Sequence, residues 1–345
     1  MDKSILLSGY FGFDNGGDEA VLSAVVKMIR EILPDTPIIA LSSDPQKTIK
    51  SNRQYDLKAI DRKNVGAIKR ELEHAALFIS GGGSLFQDVT SVRSVYYYAS
   101  MLNLAHKAGV PAIVLAQGLG PLNTFLGRTL TKRAMEKCEF MAWRDQDSLN
   151  LAVKIGLPKE KMILTCDPVL NWNPEYVEKS SEGNRVAIAV RPWKNFAKAE
   201  IAKAAEILLE KSYDVVLLPY QKGVDEELAA EINGTLGNRC KVPQYVSPHQ
   251  LYSEIASADF LVGMRLHSLI MAKGAGTNCA AISYDPKINS FSEREDVPVL
   301  GNAADITAER IVEAVEAGCG AVIERKDYTE FWQPLLDRIA EICQR

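Results

Sequence analysis

The sequence predicts an α/β protein built from two Rossmann-like domains facing one another across a cleft. Three observations predict it. Short apolar runs alternate with helix-spaced patterns from end to end, the signature of parallel sheets with helices on both faces. At 345 residues the chain exceeds the size at which one core usually keeps growing, so two domains are expected. The rhythm also breaks once, after Leu170, and then restarts.

Taken in order, the first strand is Ile5-Leu6-Leu7, followed by a glycine-bearing loop and a helix from Ala20 to Leu33. That helix ends at Pro34, which lacks the amide needed to continue it. Further strands are expected at 38–41, 77–79, 112–115 and 140–143. Asn171-Trp172-Asn173-Pro174 then leads into the polar stretch Glu178 to Asn184, whose serines and glycine read as a linker. A first domain is therefore expected over residues 1–175 and a second over 183–330. The second opens with a strand at 186–190, a helix from about Ala197 to Lys211 and a strand at 215–218. Ser247-Pro248 marks a capped helix with proline at its first position. Phe260-Leu261-Val262 is a strand and Leu269 to Lys273 is helical. Residues 331–345 read as a last helix that packs back on the first domain.

Composition narrows the function. A hydrophobic fraction of 47% and a charged fraction of 24% are those of a soluble globular protein. The formal net charge of −4 argues against nucleic acid as a partner, which needs a basic footprint. Cys138, Cys166, Cys240, Cys279, Cys319 and Cys343 are scattered without a C-x-x-C pair, and only four histidines accompany them. Neither disulfides nor a metal site is expected, and a reducing, cytoplasmic location fits. The chain runs from Met1-Asp2-Lys3 straight into a strand, leaving no room for a secretory signal. No apolar stretch is long enough to span a bilayer, so any membrane contact is expected to be peripheral.

Three loops follow first-half strands. The first contains Gly12, Asn15, Gly16, Gly17, Asp18 and Glu19. Glycines there let the backbone turn tightly and bring amides close to a ligand. Its spacing matches neither the dinucleotide fingerprint nor a P-loop. Asp18 and Glu19 fall in a first helical turn, where the helix dipole already favours carboxylates, so a structural role competes with a catalytic one. The second loop, Ser80 to Asp88, carries Gly81-Gly82-Gly83, then Ser84, Gln87 and Asp88. Three successive glycines are costly unless the backbone must approach a ligand or another chain segment closely. The third is Gln117 to Pro121. All three open on one sheet edge, which favours a shared pocket.

The run Gly263-Met264-Arg265-Leu266-His267-Ser268 is the most informative of all. It follows a buried strand, and alternation with period two would aim Arg265 and His267 at one crevice. A guanidinium beside a group titrating near neutrality suits an anionic substrate. The competing reading pairs Arg265 with a structural carboxylate and makes His267 a helix cap. Arg144 and Arg191 also stand at strand ends, and three such arginines suit a substrate bearing phosphate and carboxylate. His74 and His106 read as surface or packing residues, and His249, in the first turn of a helix, as a residue without a catalytic role. Tyr96-Tyr97-Tyr98 suits either sugar stacking or a core-and-surface run.

Together these stretches resemble the polysaccharide pyruvyl transferase family, most closely its cell-wall CsaB type. The resemblance is carried by Leu7 to Asn15 with Gly17-Asp18-Glu19-Ala20, Ser80 to Asp88, and Ala116 to Pro121. Arg144-Asp145, Arg265-Leu266-His267 and Tyr284-Asp285-Pro286-Lys287 complete it. It implies a GT-B-type glycosyltransferase fold, with phosphoenolpyruvate as co-substrate and no further cofactor. The implied reaction forms a pyruvate ketal on N-acetylmannosamine of a lipid-linked wall-polysaccharide precursor, at the inner face of the cytoplasmic membrane. That product is the ligand of S-layer homology domains. The resemblance implies donor binding by Arg144, Arg265 and Leu266, which Arg191 is expected to join on its place at a strand end, and catalysis by His267 and Asp18. It places Gly12, Asn15, Gly16, Gly17, Glu19, Gly82, Gly83, Ser84, Gln87, Asp88 and Gln117 on the acceptor side. His267 is expected to protonate the methylene carbon of phosphoenolpyruvate, and Asp18 to take a proton from a sugar hydroxyl, with Glu19 in reserve. Arginines supply the charge compensation, so no metal is expected. A nucleotide-sugar glycosyltransferase and a non-catalytic sugar- or phosphate-binding protein are the alternatives, and the oligomeric state is left open.

Overall fold

A computed structural model describes residues 3–89, 91–174, 184–245, 247–321 and 325–345. The chain divides into two compact units. Unit 1 comprises Met1–Phe13, Asp18–Asn171 and Asp327–Arg345, and unit 2 comprises Asp14–Gly17 and Trp172–Lys326. The expected linker at 178–184 and both expected domain boundaries, 175 and 183, fall outside the described residues save for Asn184.

Unit 1 alternates strand and helix: β1 (Ser4–Phe11), α1 (Gly16–Ile32), β2 (Ile38–Ser42), α2 (Pro45–Ser51), β3 (Lys58–Asp61), α3 (Val65–Leu72) and β4 (Ala75–Gly81). It continues with α4 (Val92–Lys107), β5 (Ala112–Gln117), α5 (Phe125–Met135), β6 (Met141–Trp143), α6 (Gln146–Lys154) and β7 (Met162–Leu164). The sheet order is β3-β2-β1-β4-β5-β6-β7. Every pairing is parallel, with Ile5 opposite Ile38 on one side and Leu77 on the other. Helices cover both faces, which is why β1, β2 and β5 are apolar runs without alternation. The order reverses between β1 and β4. In open sheets of this kind the crevice outside that reversal is where ligands bind.

Unit 2 repeats the plan with β8 (Arg185–Ala189), α7 (Lys198–Glu210), β9 (Asp214–Leu217), α8 (Val224–Thr235), α9 (Pro248–Ala256) and β10 (Phe260–Gly263). It then adds α10 (Leu266–Ala275), β11 (Asn278–Ser283), α11 (Pro286–Arg294), β12 (Val299–Asn302) and α12 (Ala308–Gly318). Its parallel sheet is ordered β12-β11-β10-β8-β9, so the reversal falls between β8 and β10. The last helix, α13 (Thr329–Gln344), belongs to unit 1, where the Phe331 carbonyl accepts from Thr165 Oγ1 at 3.3 Å. Each unit has its own apolar core. Phe78, Phe86 and Trp143 are buried in the first, and Ile188, Ile201 and Phe260 in the second.

Local chemistry sets the helix ends. Asp145 caps α6 by accepting from the Ser148 amide at 2.7 Å, and Ser247 caps α9 through the Gln250 amide at 3.2 Å. Helix α1 stops before Pro34 as expected, but starts at Gly16 rather than Ala20, with Asn15 Oδ1 accepting from the Gly17 amide at 3.2 Å. Cys138, Cys240, Cys279 and Cys343 are free thiols, and burial pushes Cys138 and Cys279 up to about 12 and Cys343 up to about 11. No helix of the described residues is long and apolar enough to cross a membrane.

His249 is a packing residue. Its ring meets Trp172 edge-on at 4.9 Å, and Trp172 also meets Tyr252 at 5.4 Å. Burial pushes the imidazole down to about 4, so it stays neutral in the fold. In the unfolded chain it titrates near 6.5. Above that pH neither state takes a proton. Below it the unfolded state alone gains one, so stability is lost as pH falls from about 6.5 to about 4, by up to roughly 3 kcal/mol. Urea titrations at both ends of this window should show that loss in the wild type and a smaller one in His249→Phe.

Candidate active site

The carboxyl edge of the unit 1 sheet gathers the glycine loops. Glu19, buried at the start of α1, accepts from the amides of Gly12 at 2.7 Å and Phe13 at 3.3 Å. Its carboxylate therefore shapes the first loop. Gly82 has φ +70°, and a Cβ there would lie 1.9 Å from Val21 Cγ1. That glycine is required by the close approach of α1, a packing reason that the sequence left open. At Gly83 a Cβ would lie 2.7 Å from Asp18 Oδ1, so the loop and the Asp18 carboxylate are immediate neighbours. Both belong to the two loops that flank the β1/β4 reversal.

Asp88 is a structural anchor. It accepts from the Asn123 amide at 2.6 Å, the Thr124 amide at 2.8 Å and Thr124 Oγ1 at 2.6 Å, holding the start of α5. Burial works against its charge, but these hydrogen bonds prevail and hold the carboxyl below its ordinary range. Gln87 turns back on the Val89 amide at 3.0 Å. Gln117, at the end of β5, is fully buried, and among the described residues neither its Oε1 nor its Nε2 has a hydrogen-bonding partner. Such a side chain is costly to keep unless a ligand meets it.

Arg144 follows β6 and lies buried in the same unit. Its Nη1 donates to Asp167 Oδ2 at 3.2 Å, Nη2 donates to Ser84 Oγ at 3.1 Å, and Nε lies 3.5 Å from Asp145 Oδ2. A Cβ at Gly118 would sit 3.0 Å from its Nε, so glycine lets the guanidinium lie against the backbone. Ser84 and Arg144, both predicted site residues, are thus in direct contact.

In unit 2 the strand-alternation argument for Arg265 and His267 does not apply. Strand β10 ends at Gly263 and α10 begins at Leu266, so His267 stands in the first helical turn. Arg265 pairs with the buried carboxylate of Asp225, Nε donating at 2.9 Å and Nη2 at 2.5 Å, and Nη2 also donates to Gln221 Oε1 at 3.2 Å. The structural-carboxylate alternative for Arg265 is therefore realised; the cap alternative for His267 is not, since no side chain caps α10. His267 instead packs on the glycine loop. A Cβ at Gly17 would lie 2.4 Å from its Nδ1. The loop is held there by the Gly16 amide donating to the Tyr220 carbonyl at 2.8 Å and by the pairing of Asn15 with Gln221.

Arg191 differs from the other two arginines. It follows β8, and Tyr284 follows β11, so the two flank β10 from either side. Arg191 Nη1 donates to Tyr284 Oη at 3.3 Å, and its guanidinium lies over the rings of Trp193 and Tyr284 at 5.4 and 5.3 Å. It has no carboxylate partner among the described residues, and its buried Nε has no hydrogen-bonding partner. Arg191 is accordingly the strand-end arginine of unit 2 with charge available to a ligand. Among the described residues no cluster of His, Cys, Asp or Glu is placed to hold a metal ion.

Sequence reasoning missed Asp225, Trp193 and Arg62, and gave no role to Tyr10 and Phe13, which lie in the quoted stretch Leu7 to Asn15. Asp225 carries no signal because its partner is 40 positions away. Tyr284 lay within a stretch already quoted, and its place after a strand could have flagged it.

Comparison with known proteins decides the family. The model of the polysaccharide pyruvyl transferase family matches residues 15–286. The chain belongs to that family. Comparison with curated protein sequences finds no match. Among solved structures the transferase resembles the UDP-GlcNAc 2-epimerase of Methanocaldococcus jannaschii, with TM-score 0.66 and 12% identity over 100% of this chain and 99% of that one. It also resembles a putative UDP-N-acetylglucosamine 2-epimerase of Listeria monocytogenes, with TM-score 0.63 and 11% identity over 99% and 91%. A third is S. aureus MnaA in complex with UDP, with TM-score 0.60 and 12% identity over 91% and 87%. At such identities these likenesses show the fold: an α/β, GT-B-type arrangement of two parallel-sheet domains.

The Arg265–Asp225 pair yields a prediction for this pyruvyl transferase. Asp225→Ala strands a buried guanidinium and should lower unfolding stability by about 3–5 kcal/mol. The midpoint and slope of urea unfolding would measure the loss.

Proposed function

We propose that this pyruvyl transferase moves pyruvate from phosphoenolpyruvate onto two hydroxyls of one sugar, forming a ketal and releasing phosphate. The observation that carries the reading is the carboxyl edge of the unit 2 sheet. There the reversal between β8 and β10 places Arg191, with no carboxylate partner among the described residues, on a strand next to the one that leads into His267. An arginine and an imidazole at a ligand-binding crevice suit an enol phosphate, which offers two anionic groups and one carbon to protonate.

In the proposed step His267 delivers a proton to the methylene carbon, and C2 becomes an oxocarbenium centre. A sugar hydroxyl adds to C2 and loses its proton to a base. The C2–O bond to phosphate then breaks, its electron pair leaving with the phosphate, and a second hydroxyl adds to C2 and gives its proton to the now neutral His267, closing the ketal. Arg191 balances the charge of the donor. Arg265, oriented by Asp225, is a positioned donor whose charge is already largely met. Arg144, beside two carboxylates, orders the Ser84 loop and presents that loop to substrate. The acceptor we favour is N-acetylmannosamine of a lipid-linked wall-polysaccharide precursor, which would bring the enzyme to the cytoplasmic face of the membrane.

His267→Ala should reduce acceptor-dependent phosphate release by about a hundred- to ten-thousand-fold with the fold intact. Near-wild-type release would remove His267 from the chemistry. Arg191→Lys should raise KM for phosphoenolpyruvate about tenfold, and more than Arg265→Lys does, because the unpaired guanidinium carries more of the donor contact. Phosphoenolpyruvate, and not a uridine diphosphate sugar, should raise the melting temperature. The reverse result would favour a nucleotide-sugar enzyme.

A further inference from the structure

Unit 1 holds another arginine that the reaction above does not use. Arg62 follows β3, and its side chain is buried, with the residue 9% exposed. Its Nη1 has no hydrogen-bonding partner, and no carboxylate pairs with it among the described residues. Aromatic rings wall it instead. Its Cζ lies 4.0 Å from the ring centre of Tyr97, 5.1 Å from Phe13 and 5.5 Å from Tyr98. Tyr97 Oη donates to the Arg62 carbonyl at 3.1 Å, and Tyr98 Oη donates to that of Gly9 at 3.3 Å, tying the cage to β1.

The outer wall of this cage is a flat aromatic pair. Phe13 stacks on Tyr10 with centres 4.0 Å apart and planes within 10°, and Tyr10 is 38% exposed. Burial and the charge of Asp18 push the Tyr10 phenol up while Arg62 draws it down, so Asp18, Tyr10 and Arg62 share one neighbourhood.

Burying a guanidinium is costly unless an anion meets it. Ring faces return only part of that cost. The remainder favours a ligand that brings negative charge and oxygen acceptors to Nη1. We propose that Arg62 is an oxyanion subsite of unit 1 that takes the phosphate or diphosphate of a glycosyl phosphate, with the Tyr10–Phe13 pair as the platform for its sugar. The sugar's identity as acceptor rests on the function proposed above; the oxyanion subsite does not. A phosphate-bearing acceptor, distinguished from the neutral sugar, is the specificity that follows.

Calorimetric titration of the full chain with inorganic pyrophosphate tests the subsite without any turnover. Titrated in an Arg191→Gln background, so that the donor arginine cannot take the probe, Arg62→Gln should weaken binding at least about tenfold, the loss of one charge-assisted contact. Arg62→Lys keeps the charge but not the planar fork and, in the same background, should fall between Arg62→Gln and the Arg191→Gln parent. Pyrophosphate affinity equal in the parent and with Arg62→Gln added, or no binding to the parent, overturns the proposal. Should Arg62→Gln fail to fold, parental affinity with Arg62→Lys overturns it equally. A kinetic arm separates the sources of the oxyanion. Arg62→Gln should raise KM about tenfold for a sugar diphosphate acceptor, with KM for the same sugar without phosphate and KM for phosphoenolpyruvate unchanged. Equal effects on both acceptors would mean that Arg62 only braces the aromatic platform. Absence of pyruvyl transfer to either would sink the proposed reaction and leave the titration to decide the subsite.

Discussion

Unit 2 depends on one carboxylate. Asp225 is 1% exposed and accepts four hydrogen bonds, two from Arg265 and one each from the amides of Tyr220 and Gln221. A buried charge of this kind is tolerable only when its oxygens are all met. Meeting them joins the loop after β9 to the loop after β10. The consequence reaches further, because Tyr220 and Gln221 in turn hold Gly16 and Asn15. Gly17 is thereby set against His267. The orientation of the imidazole is thus the end of a chain of contacts that begins at a residue with no chemistry of its own.

The arginines of the two units sort by what surrounds them. Arg144 and Arg265 are buried against carboxylates, and Arg185 pairs with Glu254 at 2.5 Å. These hold loops in place. Arg191 and Arg62 lie against aromatic rings instead. A ring face attracts a cation without neutralising it, so these two keep most of their charge for another partner. Sequence position does not distinguish the groups, since Arg144, Arg191 and Arg265 all follow strands. The distinction is made by residues distant in the chain: Asp167, Asp225, Tyr284 and Tyr97.

The same division explains what could be read from the sequence. The two parallel sheets were legible because Val186 to Val190 and Ile38 to Leu41, buried on both faces, leave uninterrupted apolar runs. The strands that escaped notice include β3 and β12, edge strands with half-exposed residues, and β7 with only three residues. Arg62 escaped with β3. The glycine loops were legible because three glycines in succession are rare without cause. Their cause was not, since only the structure shows that Gly82 yields to Val21 while Gly83 faces Asp18. For Arg265 and His267 the motif was visible, but its geometry came from a helix start where a strand end was expected.

The raised thiols of Cys138, Cys279 and Cys343 have a consequence for the life of the molecule. Peroxide attacks thiolate and not thiol, and the ladder to sulfenic and sulfinic acid starts only there. With Cys138 and Cys279 held near 12 by burial, their thiolate fraction at neutral pH is about one in a hundred thousand, and near 11 that of Cys343 is about one in ten thousand. Burial that serves packing in both cores also makes these sulfurs slow to oxidise.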